Sequence, residues 1–241
     1  AEHYGEEWSK MWTRWPEQAD KMVNDIRAVV ATFGDNGLPP VTPEQVGRAI
    51  KCIKGNTALG VDLWDTKWLK SASPEVLKEL AELYNFVELM GTWPTHIMLN
   101  IIVLMGKPGG GVRPIALMPM MYRIWTKVRK STIQEWDKLH LGPWDAAVQG
   151  SSALRASVLS AFGDEIHVHS GKDIAAILWD MEKFYDNINV SKLITKAQEL
   201  GYPIIALGLG LAMHMAPRVI RAHEHYVLCK SAINGIIAGC T

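Results

Sequence analysis

The chain of 241 residues carries 25 basic and 25 acidic side chains, so its formal net charge is zero, and 48% of it is hydrophobic. Length and apolar content suffice for a sizeable core, as one domain with lobes or two small ones. The balanced charge argues against a free-standing nucleic-acid binder, which is usually basic. Three cysteines far apart, Cys52, Cys229 and Cys240, argue against a disulfide framework and for a reducing, intracellular compartment.

In chain order, residues 5 to 33 predict a Trp-rich amphipathic helix or two, broken near Pro16 and ended by Gly34. Trp8, Trp12 and Trp15 share a face there, read as a packing stripe before a partner surface. Glu2, Glu6 and Glu7 stand where a signal peptide would have its basic region. After Pro39-Pro40, Thr42-Pro43-Glu44-Gln45 resembles a capping box and opens a short helix to Ile53. Ser73-Pro74 caps another helix, whose apolar positions Val76, Leu77, Leu80, Leu83, Tyr84, Val87 and Met90 recur with helical period until Gly91.

Ile101 to Met105 is a β-rich apolar run, and Gly106-Lys107-Pro108-Gly109-Gly110-Gly111-Val112-Arg113-Pro114-Ile115 then predicts a hairpin with a flexible tip. Lys107 as a compact cation and Arg113 as a planar fork suit a polyphosphate; a solvated surface hairpin is the plainer alternative. No Gly-Lys-Ser or Gly-Lys-Thr opens a helix here, so this is not a nucleoside-triphosphatase phosphate loop. A helix from about 119 to 138 follows, with Met120, Met121, Ile124, Trp125 and Val128 as its core stripe. From 107 to 138, seven basic residues (Lys107, Arg113, Arg123, Lys127, Arg129, Lys130, Lys138) face only Glu135 and Asp137. That excess suits a phosphate backbone, although Arg129 and Lys130 fit equally the charged outer face of an ordinary helix.

The His167-Val168-His169 and His223-Glu224-His225 pairs would put two imidazoles on one face of a strand, without the helical spacing of a zinc motif, and read as satisfied or exposed histidines. Ile204 to Ala216 is too short and too Gly-interrupted to span a bilayer. Most informative is Ile177-Leu178-Trp179-Asp180-Met181-Glu182-Lys183-Phe184-Tyr185-Asp186, where a buried-strand pattern delivers one carboxylate and an aromatic-Asp pair follows. A carboxylate at the end of an apolar strand suits a hard cation such as Mg²⁺. Taken alone, Asp180 fits a water-facing surface carboxylate as well.

The series Ala58-Leu59-Gly60-Val61-Asp62, Gly106-Lys107-Pro108 with Arg113-Pro114-Ile115, Val148-Gln149-Gly150, Asp180 through Asp186 and Gly201 resembles the fingers and early palm of a reverse transcriptase. The aromatic-Asp ending and the Arg-Pro-Ile hairpin look more like the branch of non-long-terminal-repeat retroelements and group II introns than the retroviral one. The resemblance covers roughly residues 45 to 241. It implies an α+β right-hand polymerase fold, helix-rich with a fingers hairpin and palm strands. The parts would be an N-terminal helical extension over 1–40, fingers over 41–150 and a partial palm over 151–241.

The activity so implied is primer extension with deoxynucleoside triphosphates on an RNA template, by two-metal phosphoryl transfer. Asp180 would be the ligand shared by two Mg²⁺ ions, with the backbone carbonyl of Met181 as a second contact. Lys107 and Arg113 would neutralise the triphosphate, and Tyr185 would lie under the sugar and exclude a 2′ hydroxyl. Gln149 and Gly150 fall where the family positions template, and Asp186 takes a structural hydrogen-bonding role. The Trp stripe would pack against the fingers.

Two departures qualify the likeness. Ala238-Gly239-Cys240 replaces the family's Gln-Gly-Asp, and the sequence reaches Thr241 before any adjacent aspartate pair or thumb. One of three expected metal carboxylates is then present, so this segment alone is expected to be inactive. The alternative is a polymerase-derived, non-catalytic structural or protein-interaction subunit; a metal-dependent hydrolase around Asp180 lacks a second acidic cluster.

Overall fold

The computed structural model describes residues 2–32, 38–142, 145–146 and 150–237. They fall into two compact units, one of Ala1–Ile133 with Lys183–Thr241 and one of Gln134–Glu182. Ten α-helices and one four-stranded sheet are formed among the described residues, an α+β composition rich in helix.

The first unit opens with α1 (Glu2–Trp12), a 3-10 turn over Pro16–Gln18 and α2 (Ala19–Ala31). Proline at the first position of that turn stops α1 and restarts the helix, as the sequence predicts. Trp8 and Trp12 are buried, while Trp15 lies past the end of α1 and is only partly covered. Helix α1 packs on β4 and on the turn Phe184–Asn187.

In α3 (Pro43–Lys51) the capping box is complete. The Thr42 hydroxyl accepts from the Gln45 N–H and the Gln45 side chain accepts from the Thr42 N–H. Asp65 caps the short α4 (Thr66–Lys70), and Ser73 caps α5 (Pro74–Met90), which ends at Gly91 with φ +64.

The sheet runs β2-β1-β3-β4. Its members are β1 (Asn100–Gly106), β2 (Val112–Leu117), β3 (Arg218–Ala222) and β4 (His225–Leu228). β1 pairs antiparallel with β2 and parallel with β3, and β4 pairs antiparallel with β3. Cross-strand partners share a face. Asn100, Ile102, Ala116, Arg218 and Ile220 are buried on one face, while Ile101, Val103, Met105, Arg113, Ile115 and Arg221 lie on an open one. His225 opens β4 after a turn in which His223 has φ +55, so the second histidine pair spans a hairpin bend and not one strand.

The predicted helix from 119 to 138 is two helices, α6 (Met120–Val128) and α7 (Lys130–His140), broken at Arg129. Asp62 accepts the Met121 N–H at 2.9 Å and so caps the start of α6. Gly60 makes this approach possible, since a Cβ there would stand 2.5 Å from the Met118 carbonyl oxygen. Trp93 packs edge to face on both Tyr122 and Trp125 of α6, and its Nε1 donates to the Leu209 carbonyl at 2.9 Å. Arg129 is not on an outer charged face: it is buried and paired with buried Glu88 through its Nε at 2.6 Å and its Nη2. Helices α9 (Val190–Glu199) and α10 (Ile204–His214) pack with α2, and no described helix is long and apolar enough to cross a membrane.

In the second unit, α8 (Ala153–His169) is capped by Ser152 and buries no residue. It contains His167 and His169, so that pair is helical, not on a strand. Residues 172–181 form no strand, and Leu178 and Trp179 are 96% and 85% exposed. A strand needs a neighbour for its N–H and C=O groups, and this segment is not in the sheet.

Candidate functional site

The hairpin tip from Lys107 to Gly111 closes by Lys107 N–H to Gly111 O at 3.0 Å and Gly110 N–H to Lys107 O at 3.1 Å. Gly110 and Gly111 have φ +90 and +79, which other residues adopt at a cost, so the glycines are what allow so tight a tip. Alternation puts Lys107 on the face of Met105, whose partner across the ladder is Arg113. Both cations are therefore on the open face of the sheet, and neither side chain carries a hydrogen bond or ion pair among the described residues.

Arg221 joins them there. It is opposite Val103 on the other side of β1, its Nε donates to the His223 carbonyl at 3.3 Å, and its guanidinium lies 5.9 Å from the Tyr226 ring. Sequence reasoning missed Arg221 because only the β1–β3 register, across more than a hundred residues, brings it to the hairpin. Three cations on one open face, with half-buried Ile101 and Val103 between the strands, can neutralise a phosphate chain.

Tyr185 sits on the 3-10 turn Phe184–Asn187, entered through Lys183 at φ +47. Its ring meets Phe184 at 5.4 Å and is 52% exposed. Its carbonyl accepts the Ile236 N–H at 2.9 Å, and Gly235 N–H donates to Ile188 O at 2.8 Å. Gly235, at φ +77, lies so close that a Cβ would be 2.8 Å from the Asp186 carbonyl oxygen. Asp186 accepts Trp12 Nε1 on Oδ1 at 2.9 Å and Asn234 Nδ2 on its carbonyl at 2.8 Å.

His214, beneath this loop, accepts the Ile237 N–H on Nδ1 at 3.0 Å and must be neutral to do so. Burial, with Arg218 nearby, holds it down to about 4. The unfolded chain binds a proton near the ordinary pKa of 6.5 while the folded chain does not. The resulting stability is complete above that value and is lost as pH falls toward 4, on the order of 3 kcal/mol. Urea midpoints at pH 7 and pH 4.5 will separate more in the native chain than in His214→Asn, whose amide oxygen accepts the same N–H without titrating. Equal separations would refute it.

Asp180 and Met181 lie in the second unit on the exposed 172–181 segment, and Asp180 makes no hydrogen bond or ion pair among the described residues. The Asp180–Asp186 series is thus divided between the units after Glu182. Gly150 is exposed with φ +90, and Gln149 lies outside the described residues, as do Gly34 and Ala238-Gly239-Cys240. No group of three His, Cys, Asp or Glu side chains able to hold a metal occurs among the described residues.

No protein-family model matches the chain. A probable RNA-directed DNA polymerase from transposon BS of Drosophila melanogaster is 20% identical over 219 residues, covering 84% of this chain and 23% of that protein. The likeness supports a distant, reverse-transcriptase-like relationship. The chain spans under a quarter of that relative's length.

Proposed function

We propose that this chain is the fingers and early palm of an RNA-directed DNA polymerase of the non-long-terminal-repeat and group II intron type. Residues 1–40 form an N-terminal extension, 41–150 the fingers and 151–241 part of the palm. Its partners are an RNA template, a DNA primer and deoxynucleoside triphosphates. The observation that carries the reading is the β1–β2 hairpin. Lys107 and Arg113 share one open sheet face, with side chains unpaired among the described residues, on a chain that aligns along most of its length with a transposon polymerase.

In this reading Lys107 and Arg113 neutralise the triphosphate, and Tyr185 lies under the sugar. Gln149 and Gly150 meet the template, and Asp180 with the Met181 carbonyl would supply two of the oxygen contacts to Mg²⁺. The described residues do not by themselves fit a two-ion centre, because Asp180 has no cluster of metal-ligating side chains around it. What they can supply is positioning and charge neutralisation, which in phosphoryl transfer is most of the protein's share.

In a protein that contains this chain and extends a DNA primer on RNA, Lys107→Ala with Arg113→Ala will raise KM for deoxynucleoside triphosphates. Removing two charge-assisted hydrogen bonds to phosphate predicts a rise of roughly 10- to 1,000-fold. Lys107→Ala with Arg113→Lys will recover part of that, because a point charge replaces the fork only incompletely. An unchanged KM would sink the hairpin's role, and absence of RNA-templated extension from every such protein would sink the function.

A further inference from the structure

Phe184 and Tyr185 are 50% and 52% exposed, so burial does little to fix the turn that carries them. What fixes it is a set of hydrogen bonds from the far end of the sequence. Trp12, at the last position of α1 and 2% exposed, donates its indole N–H to the Asp186 carboxylate across 174 positions. Arg14 Nη1 donates to Asn187 Oδ1 at 2.8 Å, on the other side of the turn. Asn234 Nδ2 bridges the Met11 carbonyl at 3.0 Å and the Asp186 carbonyl at 2.8 Å.

The buried guanidinium of Arg218 lies 4.5 Å above the Trp12 ring. Its Nε has no partner among the described residues, and Asp186 is its carboxylate neighbour. Lys183, whose φ of +47 starts the turn, places its ammonium 5.2 Å from the Trp8 ring. A strained entry residue held by an aromatic from another element is the arrangement expected where position matters more than stability.

We propose that Trp12 is a positioning residue: through Asp186 it fixes the Phe184–Asn187 turn, so that helix α1 sets where the Tyr185 ring stands and thereby the sugar selectivity of the nucleotide site. The sugar half rests on the reading of Tyr185 as the ring beneath the sugar. The positioning half rests on the hydrogen bonds alone. An N-terminal extension thus becomes part of the specificity machinery and not a decorative lobe.

Trp12→Phe removes the indole N–H and keeps a ring beneath Arg218. Hydrogen exchange on the 241-residue chain then reads the turn directly, at the Asp186 and Asn187 amides bonded to the Lys183 carbonyl and at the Ile236 amide bonded to that of Tyr185. These amides will exchange roughly 10- to 100-fold faster in Trp12→Phe, as removal of one charge-assisted bond predicts, while amides inside α5 keep their rates. Asp186→Asn, whose Oδ1 still accepts the N–H, will stay closer to the native rates. If Trp12→Phe loosens α5 as well, Arg14→Ala supplies the same local readout from an exposed residue. Native rates at the turn in Trp12→Phe overturn the positioning half, and where that variant loosens α5, native rates in Arg14→Ala do so.

For the sugar half, the ratio of kcat/KM for deoxy- over ribonucleotides is measured in a primer-extending protein that contains this chain. Trp12→Phe and Tyr185→Ala will both lower it. A ratio lowered by Tyr185→Ala but untouched by Trp12→Phe overturns the proposal. A ratio that Tyr185→Ala does not move refutes the assignment of Tyr185 itself, leaving the exchange rates to decide whether Trp12 holds the turn.

Discussion

Glu88→Ala will destabilise the chain by about 3–5 kcal/mol, the usual cost of removing one partner from a buried ion pair. Glu88 accepts from Trp125 Nε1 at 2.8 Å and from Arg129 Nε at 2.6 Å through one oxygen, and from Arg129 Nη2 through the other. Its removal leaves a buried indole N–H and two guanidinium donors without acceptors, and among the described residues the Arg129 guanidinium keeps only its bond from Nη1 to the Pro39 carbonyl at 3.0 Å. The pair fastens α5 to the α6–α7 break, one helix beyond the hairpin's second strand.

Glu88→Leu combined with Arg129→Met will recover part of the loss, because two apolar side chains need no partners while the Trp125 indole N–H stays without its acceptor. Urea unfolding followed by tryptophan fluorescence measures both. A cost below about 1 kcal/mol for Glu88→Ala would mean that water reaches the pair, as it does in exposed ion pairs.

Arg129 also shows where sequence reading stops. Its partner is 41 positions away, and nothing local distinguishes a buried arginine from a solvated one on a basic helix. Features decided within a few residues were legible: the Thr42 capping box, the Ser73 cap, the Gly91 stop and the hairpin with its glycine tip. Features decided by register or by distant packing were not. Arg221 reaches the hairpin face only through the parallel β1–β3 pairing, and Trp12 meets Asp186 only because α1 folds onto β4 and the turn.

The apolar run before Asp180 is the opposite case, a local pattern without the partner it needs. Ile177 to Trp179 reads as a buried strand by composition, but backbone groups pair only where another strand is present. The sheet closes as β2-β1-β3-β4 without it. Helix α8 carries the same signature, with Leu154, Leu159, Phe162 and Ile166 all exposed on a helix that buries no residue. Apolar side chains distributed all round a helix mark one made to be covered, so the second unit is the part of the chain whose sequence pattern and burial disagree most.

That exposure makes Asp180→Asn an unusually clean experiment. Asp180 makes no hydrogen bond or ion pair among the described residues and lies on an exposed segment, so exchanging a carboxylate for its isosteric amide should change stability by no more than about 0.5 kcal/mol. In a primer-extending protein that contains this chain, the same substitution will reduce extension by about 1,000-fold or more. Losses of that order are usual where a group acts on charge that develops only in the transition state. Template–primer affinity will stay near its native value, because phosphate contacts come from cations and not from this carboxylate. A fall in extension with unchanged unfolding and unchanged affinity can only be chemical. Extension that survives the substitution would remove Asp180 from the reaction and leave the chain's likeness to reverse transcriptases without its central carboxylate.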